Sequence, residues 1–457
     1  MVFTGANENE AKFNADELFY SKTDFRGIIQ SGNSVFVRVS EYPEEELLKR
    51  PHNVIRHPDM PRAVFALFWD FLKNQKVVAA YVKNKSKMGK YYWVFAMAFP
   101  MSDGYLSIRL KPSSPLFAQV KKVYEKMSAI EIETSAMEAS SQYLHRTLAE
   151  ELGFASYEEF MRGALEAELR SRDLALGVQD KGLQVKWIAD EVLRNVTYAS
   201  QNCMDSVRTG FEVSSQFLVN MDGLLSQSQH IMKTCESVKM VTTNLTVASA
   251  KLGEPGKPLG VVAANLDKLT GEIAQCTKDL DEALKSFRQS AEDMCFTFGS
   301  SRFQIEMMDH LIRERVLQAG DLGAQSQTDS EKLIFLERLA LLNILIVQNF
   351  KKVQETSLAL TSSSRSLLHT CKRLSQTTAG MDVIRVVGKI EMARVDEVTG
   401  VLASRLKDVE DLTQAFKDSL RVLETDCRQG ITNSLRVEQM TADVSNVLGT
   451  INSLIVV

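Results

Sequence analysis

The chain has 457 residues, a formal net charge of −4 and a pI near 6.0. That balance leaves no basic footprint for nucleic acid, and at about 150 residues per domain the length calls for two or three domains. Hydrophobic residues make up 44% of the chain, enough to fill buried cores.

Aromatic residues gather before residue 125, and the later chain is rich in Leu, Val, Ser, Ala and charge. The shift marks a boundary between a compact mixed domain and a long helical region. Six cysteines, Cys203, Cys235, Cys276, Cys295, Cys371 and Cys427, form no C-x-x-C pair and show no metal spacing. They read as small buried or half-buried residues of helices, which fits a reducing cytoplasm. The start, Met1 to Lys12, is polar and acidic and does not read as a signal peptide. The most apolar stretch, Leu333 to Phe350, is broken by Glu337, Arg338 and Asn343. It is too short between charges to span a bilayer, so a cytoplasmic protein without a membrane span is expected.

In chain order, residues 1–17 read as a loose arm. From Phe25 to Arg38, apolar and polar residues alternate around Gly27 and Gly32, which predicts two short strands and a turn. Pro43 followed by Glu44-Glu45-Glu46 is a helix start. Pro51-His52-Asn53-Val54-Ile55-Arg56-His57-Pro58-Asp59-Met60-Pro61 follows. Three prolines in eleven residues hold it as an irregular loop. A rigid loop carrying Arg, His and Asp is where binding chemistry usually sits. Ala63 to Phe71 is an apolar helix fit to wall a pocket. Three strands are expected at Val77 to Lys83, Tyr91 to Phe99 and Gly104 to Lys111. The lysines between Lys83 and Lys90 read as a solvated hairpin tip.

Together with Lys22-Thr23-Asp24-Phe25-Arg26-Gly27, Asn33-Ser34-Val35-Phe36 and Asp103-Gly104-Tyr105-Leu106-Ser107-Ile108-Arg109, residues 18–112 closely resemble the PAS domain of the bacterial aerotaxis transducers. The resemblance implies an α+β fold: a PAS domain with a five-stranded antiparallel sheet and helices, holding FAD without a covalent bond and reporting redox state or oxygen. It also implies flavin-site positions at Asn33, Arg56, His57, Asp59, Phe65 and Asn84. The founding members carry a tryptophan where this chain has Val78. Haem, or no cofactor at all, is the alternative.

Strand signals stop at Ser113. Leu116, Val120, Val123 and Met127 share one helical face. Gly153 breaks a helix, and Ser156 caps a restart with Glu159 three residues on. Residues 113–185 are expected to be a helical connector, with the charges of Glu166 to Arg172 as solvation. Residues 186–457 read as a long all-α hairpin or coiled-coil bundle. Leu266, Leu269, Ile273, Cys276, Leu280, Leu284 and Phe287 form one seam, and Leu402, Leu406, Val409, Leu412, Phe416, Leu420 and Leu423 another. Phe303-Gln304-Ile305-Glu306-Met307 carries no readable motif.

The helical region holds an internal repeat. Ala250-Lys251-Leu252-Gly253-Glu254 precedes a turn and Gly260-Val261-Val262-Ala263 follows it. Ala393-Arg394-Val395-Asp396-Glu397 and Gly400-Val401-Leu402-Ala403 repeat the pattern. Residues 240–270 and 384–410 thus resemble, in degenerate form, the hairpin tip of methyl-accepting chemoreceptors. That resemblance implies a homodimer and tip contacts with the coupling protein CheW and the kinase CheA.

The function expected is a PAS-based redox or oxygen sensor and chemotaxis-type transducer. The alternative is a non-sensing adaptor that uses the PAS domain to dimerise or dock, which Val78 and the degenerate tips favour. An enzyme is not expected: no P-loop, metal motif or Ser-His-Asp order appears. His145, His230, His310 and His369 lack the ATP-binding boxes a histidine kinase needs.

Overall fold

The computed structural model describes residues 10–177, 191–321, 329–393 and 400–455. The chain forms two compact units. One comprises residues 1–211, 295–352 and 441–457, and the other residues 212–294 and 353–440.

The first unit is built on a five-stranded antiparallel sheet. Its strands are β1 (Phe19–Thr23), β2 (Ile29–Gly32), β3 (Val78–Lys85), β4 (Tyr91–Met101) and β5 (Gly104–Leu110), in the order β2-β1-β5-β4-β3. Helices α1 (Ser34–Ser40), α2 (Glu44–Leu47) and α3 (Arg62–Lys73) lie between β2 and β3 in sequence, with a 3-10 turn at His52–Ile55. Helices α4 (Pro115–Thr134), α5 (Met137–Glu150) and α6 (Tyr157–Leu176) follow β5. Successive strand residues point to opposite faces. One face carries Tyr81, Phe95 and Trp93 against α4 and α6: Phe117 stacks on Tyr81 at 5.4 Å and meets Trp93 at 5.3 Å, and Phe160 lies 6.3 Å from Tyr81. The other carries Val82, Asn84, Ala96, Ala98 and Ser107, where small side chains leave space.

Three expectations need correction. Residues 25–38 do not make two strands: β1 lies earlier, at Phe19–Thr23, and Ser34–Ser40 is helical. Alternating Val35, Val37 and Val39 looks like a strand. Yet Asn33 accepts a hydrogen bond from the Phe36 amide at 3.4 Å as N-cap, and Val35, Phe36 and Val39 bury one helical face. Tertiary packing and a cap override β-propensity here.

The arm is also not loose over residues 10–17. Ala11 donates to the Tyr91 carbonyl at 2.8 Å, and Ala11 and Phe13 are buried. Nor are the charges of Glu166 to Arg172 all solvated. Glu166 pairs with Arg170 on the outside, but Glu168 and Arg172 are buried.

Glu168 is fully enclosed. Its carboxylate accepts from Tyr81 Oη (2.9 Å), the Ser113 amide (2.7 Å) and Ser114 Oγ (2.6 Å). It thereby ties α6 to β3 and to the start of α4, whose N-cap is Ser114. One turn on, Arg172 and Asp173 pair with Glu306 and Arg302. Residues 303–307, which carried no motif, lie in the buried core beside this network. The Ser156 cap is as expected: Ser156 Oγ accepts from the Glu159 amide at 3.1 Å.

The helical region consists of α7 (Glu191–Lys251), α8 (Lys257–Asp321), α9 (Asp329–Ala393) and α10 (Gly400–Ile455). In the second unit their segments close into a four-helix bundle. Phe217 meets Phe287 edge-on at 5.9 Å, Arg373 reaches Asp279 at 3.2 Å, Cys371 faces Cys427 at 3.9 Å, and Ser419 lies 3.4 Å from His230. Leu266, Ile273, Cys276, Leu280, Leu284 and Phe287 are buried along α8, and Phe416, Leu420 and Leu423 along α10. Each fully buried Leu or Phe contributes about 1.5–3 kcal/mol. All six cysteines are buried.

The first tip-like repeat is helix, turn, helix, with a 3-10 turn at Glu254–Gly256. The second turn, residues 394–399, lies outside the described residues, as do the side chains of Leu402, Leu406, Val409 and Leu412. The α9 stretch set aside as a membrane span is continuous helix, and from Leu333 to Glu391 it is long and apolar enough to cross a membrane by length and composition. Leu339, Leu342, Ile346 and Phe350 are nevertheless buried inside the fold, while Leu333, Ile334, Ile344 and Val347 are exposed.

Candidate functional site

Between the sheet and α3 lies a cavity of about 520 Å³. Its floor is the small-residue face of the sheet: Ser21, Val82, Asn84, Ala96, Ala98, Ser107 and Arg109. Its roof is the α3 face carrying Phe65, Phe68 and Trp69, and its side wall is the proline loop with His52, Asn53 and Arg56. The three roof aromatics are only half-buried, and Trp69 meets Tyr105 edge-on at 5.6 Å. An apolar wall left half open, with a few polar groups converging on the space, is the usual make-up of a ligand site of this size.

The polar groups are donors. Asn84 is buried, and its Nδ2 has no hydrogen-bond partner in the protein; the same holds for Ser107 Oγ. Buried polar atoms are almost always satisfied, so these two mark a position for acceptors from an occupant. Arg56 lies over the Phe65 ring at 4.3 Å and donates to the Met60 carbonyl at 3.0 Å. Burial draws its pKa down from the usual value.

Arg109 is buried on β5, with its guanidinium 2.9 Å from Ser21 Oγ and 2.7 Å from His52 Nε2. Burial lowers its pKa to about 10. His52 is pushed down to about 3, first by burial and then by the Arg109 charge. A neutral His52 accepts at Nε2 from Arg109, with the Ser21 hydroxyl 3.1 Å from the same nitrogen, which leaves the ring proton on Nδ1.

The six positions implied by the aerotaxis resemblance divide three ways. Arg56, Phe65 and Asn84 come together on the cavity. His57 and Asp59 belong to the same loop but line a groove on its other side, with Lys83 and Trp93. There His57 Nδ1 accepts from the Asp59 amide at 3.2 Å, and Asp59 pairs with Lys83 at 2.7 Å. Asn53, Arg56 and Arg62 line both spaces, so the loop is the partition between them. Asn33 reaches neither. It is buried beneath α1, accepting from the Tyr20 amide at 3.2 Å and donating to the Leu18 carbonyl at 3.0 Å. Val78 is buried in β3 and lines neither space.

Sequence reasoning named His52 in the proline loop and Arg109 in the last strand but assigned neither to the site. The signal was present: in Tyr105-Leu106-Ser107-Ile108-Arg109 the period of two puts an arginine on the same face as Tyr105 and Ser107. The lysines of the β3–β4 turn are paired rather than simply solvated, Lys87 with Glu46 at 2.6 Å and Lys90 with Glu41 at 2.5 Å.

Comparison with known proteins agrees with this geometry. Residues 31–106 match the family model described as the PAS fold. The chain is 41% identical over 119 residues to the aerotaxis receptor of Escherichia coli (strain K12), a match covering 25% of this chain and 24% of that receptor. The chain therefore spans about a quarter of the length of the curated relative it matches. A solved PAS domain from Colwellia psychrerythraea is 20% identical, covering 21% of this chain and 85% of that one, with a TM-score of 0.20, and nothing further follows from it. The N-terminal part of this chain is a PAS-fold domain similar to that of the aerotaxis receptor, and a long helical region follows it.

Proposed function

We propose that the chain is a cytoplasmic redox or oxygen sensor of the aerotaxis type, a transducer rather than an enzyme, whose PAS cavity holds FAD. The observation that carries this reading is the cavity itself: aromatic roof, donor-rich floor, and buried Asn84 and Ser107 atoms awaiting acceptors. An isoalloxazine ring is flat, apolar on its faces and rich in acceptors at its edge, and the pyrophosphate of FAD is anionic. Arg56, Phe65, Asn84, Ser107 and Arg109 would hold it. When bound, the flavin supplies reversible electron uptake. Haem is served less well, because His52, the cavity's imidazole, has its Nε2 engaged by Arg109 and Ser21. A PAS domain used only for docking leaves the cavity and its unmatched donors without a purpose.

A route outward runs through β3. Val82 and Asn84 face the cavity, while Tyr81 between them faces α6 and donates to Glu168. Glu168 also holds the start of α4, and Arg172 and Asp173 connect α6 to Glu306 and Arg302 of α8. A change in hydrogen bonding at Asn84 displaces β3 and reaches α8 through one helix. Such a packed polar network is suited to two discrete arrangements.

In the second unit, the exposed Val261 and Val387 share a groove with Pro258, close to the first turn. This apolar surface is our candidate contact for CheW and CheA. The homodimer expected from the resemblance would join two bundles that are each complete within one chain.

The test is the absorption spectrum of the purified protein, before and after incubation with FAD. Flavin absorbance that bleaches with dithionite is the expected result. A colourless protein that remains so removes the redox reading, and a haem spectrum replaces it.

A further inference from the structure

Four charged residues line the cavity, and all are arginines: Arg26, Arg56, Arg62 and Arg109. Three have their charge answered or screened. Arg26 pairs with Asp24 at 3.3 Å, Arg62 pairs with Glu131 at 3.4 Å, and Arg56 is half-exposed over Phe65 with Glu131 acting on it from nearby.

Arg109 differs from them. It is 4% exposed and, among the described residues, its hydrogen-bond partners include no carboxylate. Its neighbours are a hydroxyl, a backbone carbonyl at 3.5 Å, a neutral imidazole, and the faces of Phe19 and Phe36 at 5.7 and 5.6 Å. A buried guanidinium without a counter-charge is a standing cost to the fold. Hydrophobic residues could fill the same place at no such cost, as Ala96 does on the neighbouring strand.

We propose that Arg109 is the orienting residue of the cavity: it draws the electron-rich edge of the occupant to the floor, against Ser21, His52 and Ser107. Resting on the flavin reading, that edge would be the pyrimidine carbonyl end of the isoalloxazine, with Phe65, Trp69 and Arg56 as the other residues that would hold the group. The pyrimidine end also gains the negative charge when the ring takes up electrons from a reductant. Arg109 is then the one fully buried cation placed to balance it.

The experiment compares the full chain with Arg109→Met and Arg109→Lys variants. Three quantities are read: thermal stability without added ligand, FAD affinity by fluorescence quenching, and the midpoint potential of bound flavin. Removing the uncompensated charge should raise the ligand-free melting temperature of Arg109→Met. The same change should weaken FAD binding roughly ten- to a hundredfold, as expected for one charge-assisted hydrogen-bond site, and shift the potential of residual bound flavin downward. Arg109→Lys, which keeps the charge but loses the fork, should retain most of the potential and lose part of the affinity.

A ligand-free Arg109→Met protein that melts lower, with FAD affinity and potential unchanged, overturns the proposal and makes Arg109 structural. Failure of the flavin reading looks different: no variant, wild type included, takes up FAD. A higher ligand-free melting temperature in Arg109→Met would then still assign Arg109 to an acceptor-bearing ligand of another kind, and a lower one would overturn that too.

Discussion

At the scale of single residues, two asparagines that looked equivalent do different work. Asn33 satisfies three backbone groups around the start of α1 and is closed off from the cavity. Asn84 faces the cavity with a spare donor. Replacing Asn33 by Ala strips a cap and orphans buried amides, a loss of roughly 1–3 kcal/mol. Asn33→Ala should lower the ligand-free melting temperature and lose ligand only as a consequence. Asn84→Ala should leave ligand-free stability near wild type and weaken FAD binding directly. Calorimetry of both variants without ligand, followed by titration with FAD, checks the pair. Equal destabilisation of the two would contradict the division. The resemblance that brought both residues forward reports position in a family, not the reason for it. Only the hydrogen-bond partners separate a cap from a ligand contact. Arg109 shows the converse, since the strand's period of two already placed its charge on the inner face.

Among the elements, α6 ties the sheet to the helices beyond it. Its outward face, with Glu166 and Arg170, is the solvated face the sequence suggests. Its inward face carries Glu168 to β3 and α4, and Arg172 to α8. Charged letters alone do not tell the two faces apart, because a buried carboxylate needs partners supplied from far along the chain. The same limit hid Glu306. Burial works to raise its pKa, but the charges of Arg172, Arg302 and Arg208 overcome it and hold the carboxyl at about 2.

A carboxyl held below its unfolded value gives stability that is present above that value and lost as the pH falls toward the folded one. The stability from Glu306 is therefore in place above roughly pH 4.5 and disappears between there and about pH 2. Glu306→Gln should be destabilised by roughly 3 kcal/mol at pH 6, the usual cost of breaking a buried ion pair. The gap to wild type should narrow below about pH 4.5 and close near pH 2. Denaturant melts across that range measure it, and a gap that stays constant with pH would contradict the account. Helix α1 is the opposite case. Its valines alternate as a strand would, and the Asn33 cap with the buried Val35, Phe36 and Val39 decides against them.

For the whole molecule, the order of the elements, a sheet domain first and long helices after it, follows from composition: aromatics early, helical seams late. The first of the two repeated turns is legible for the same reason, since a helix, a short turn and a helix leave a local pattern. How the seams close on one another is non-local. It appears only in pairs such as Phe217 with Phe287 and Cys371 with Cys427. The account's central claim is that the state of a group in the cavity reaches α8 through β3 and α6. The most direct measurement is amide hydrogen exchange on the full chain with FAD bound, before and after reduction with dithionite. Exchange should change on reduction in the strand around Tyr81, in the start of α4, in α6 around Glu168 and in α8 around Arg302 and Glu306. Change confined to the cavity walls, with α6 and α8 unaltered, would contradict it.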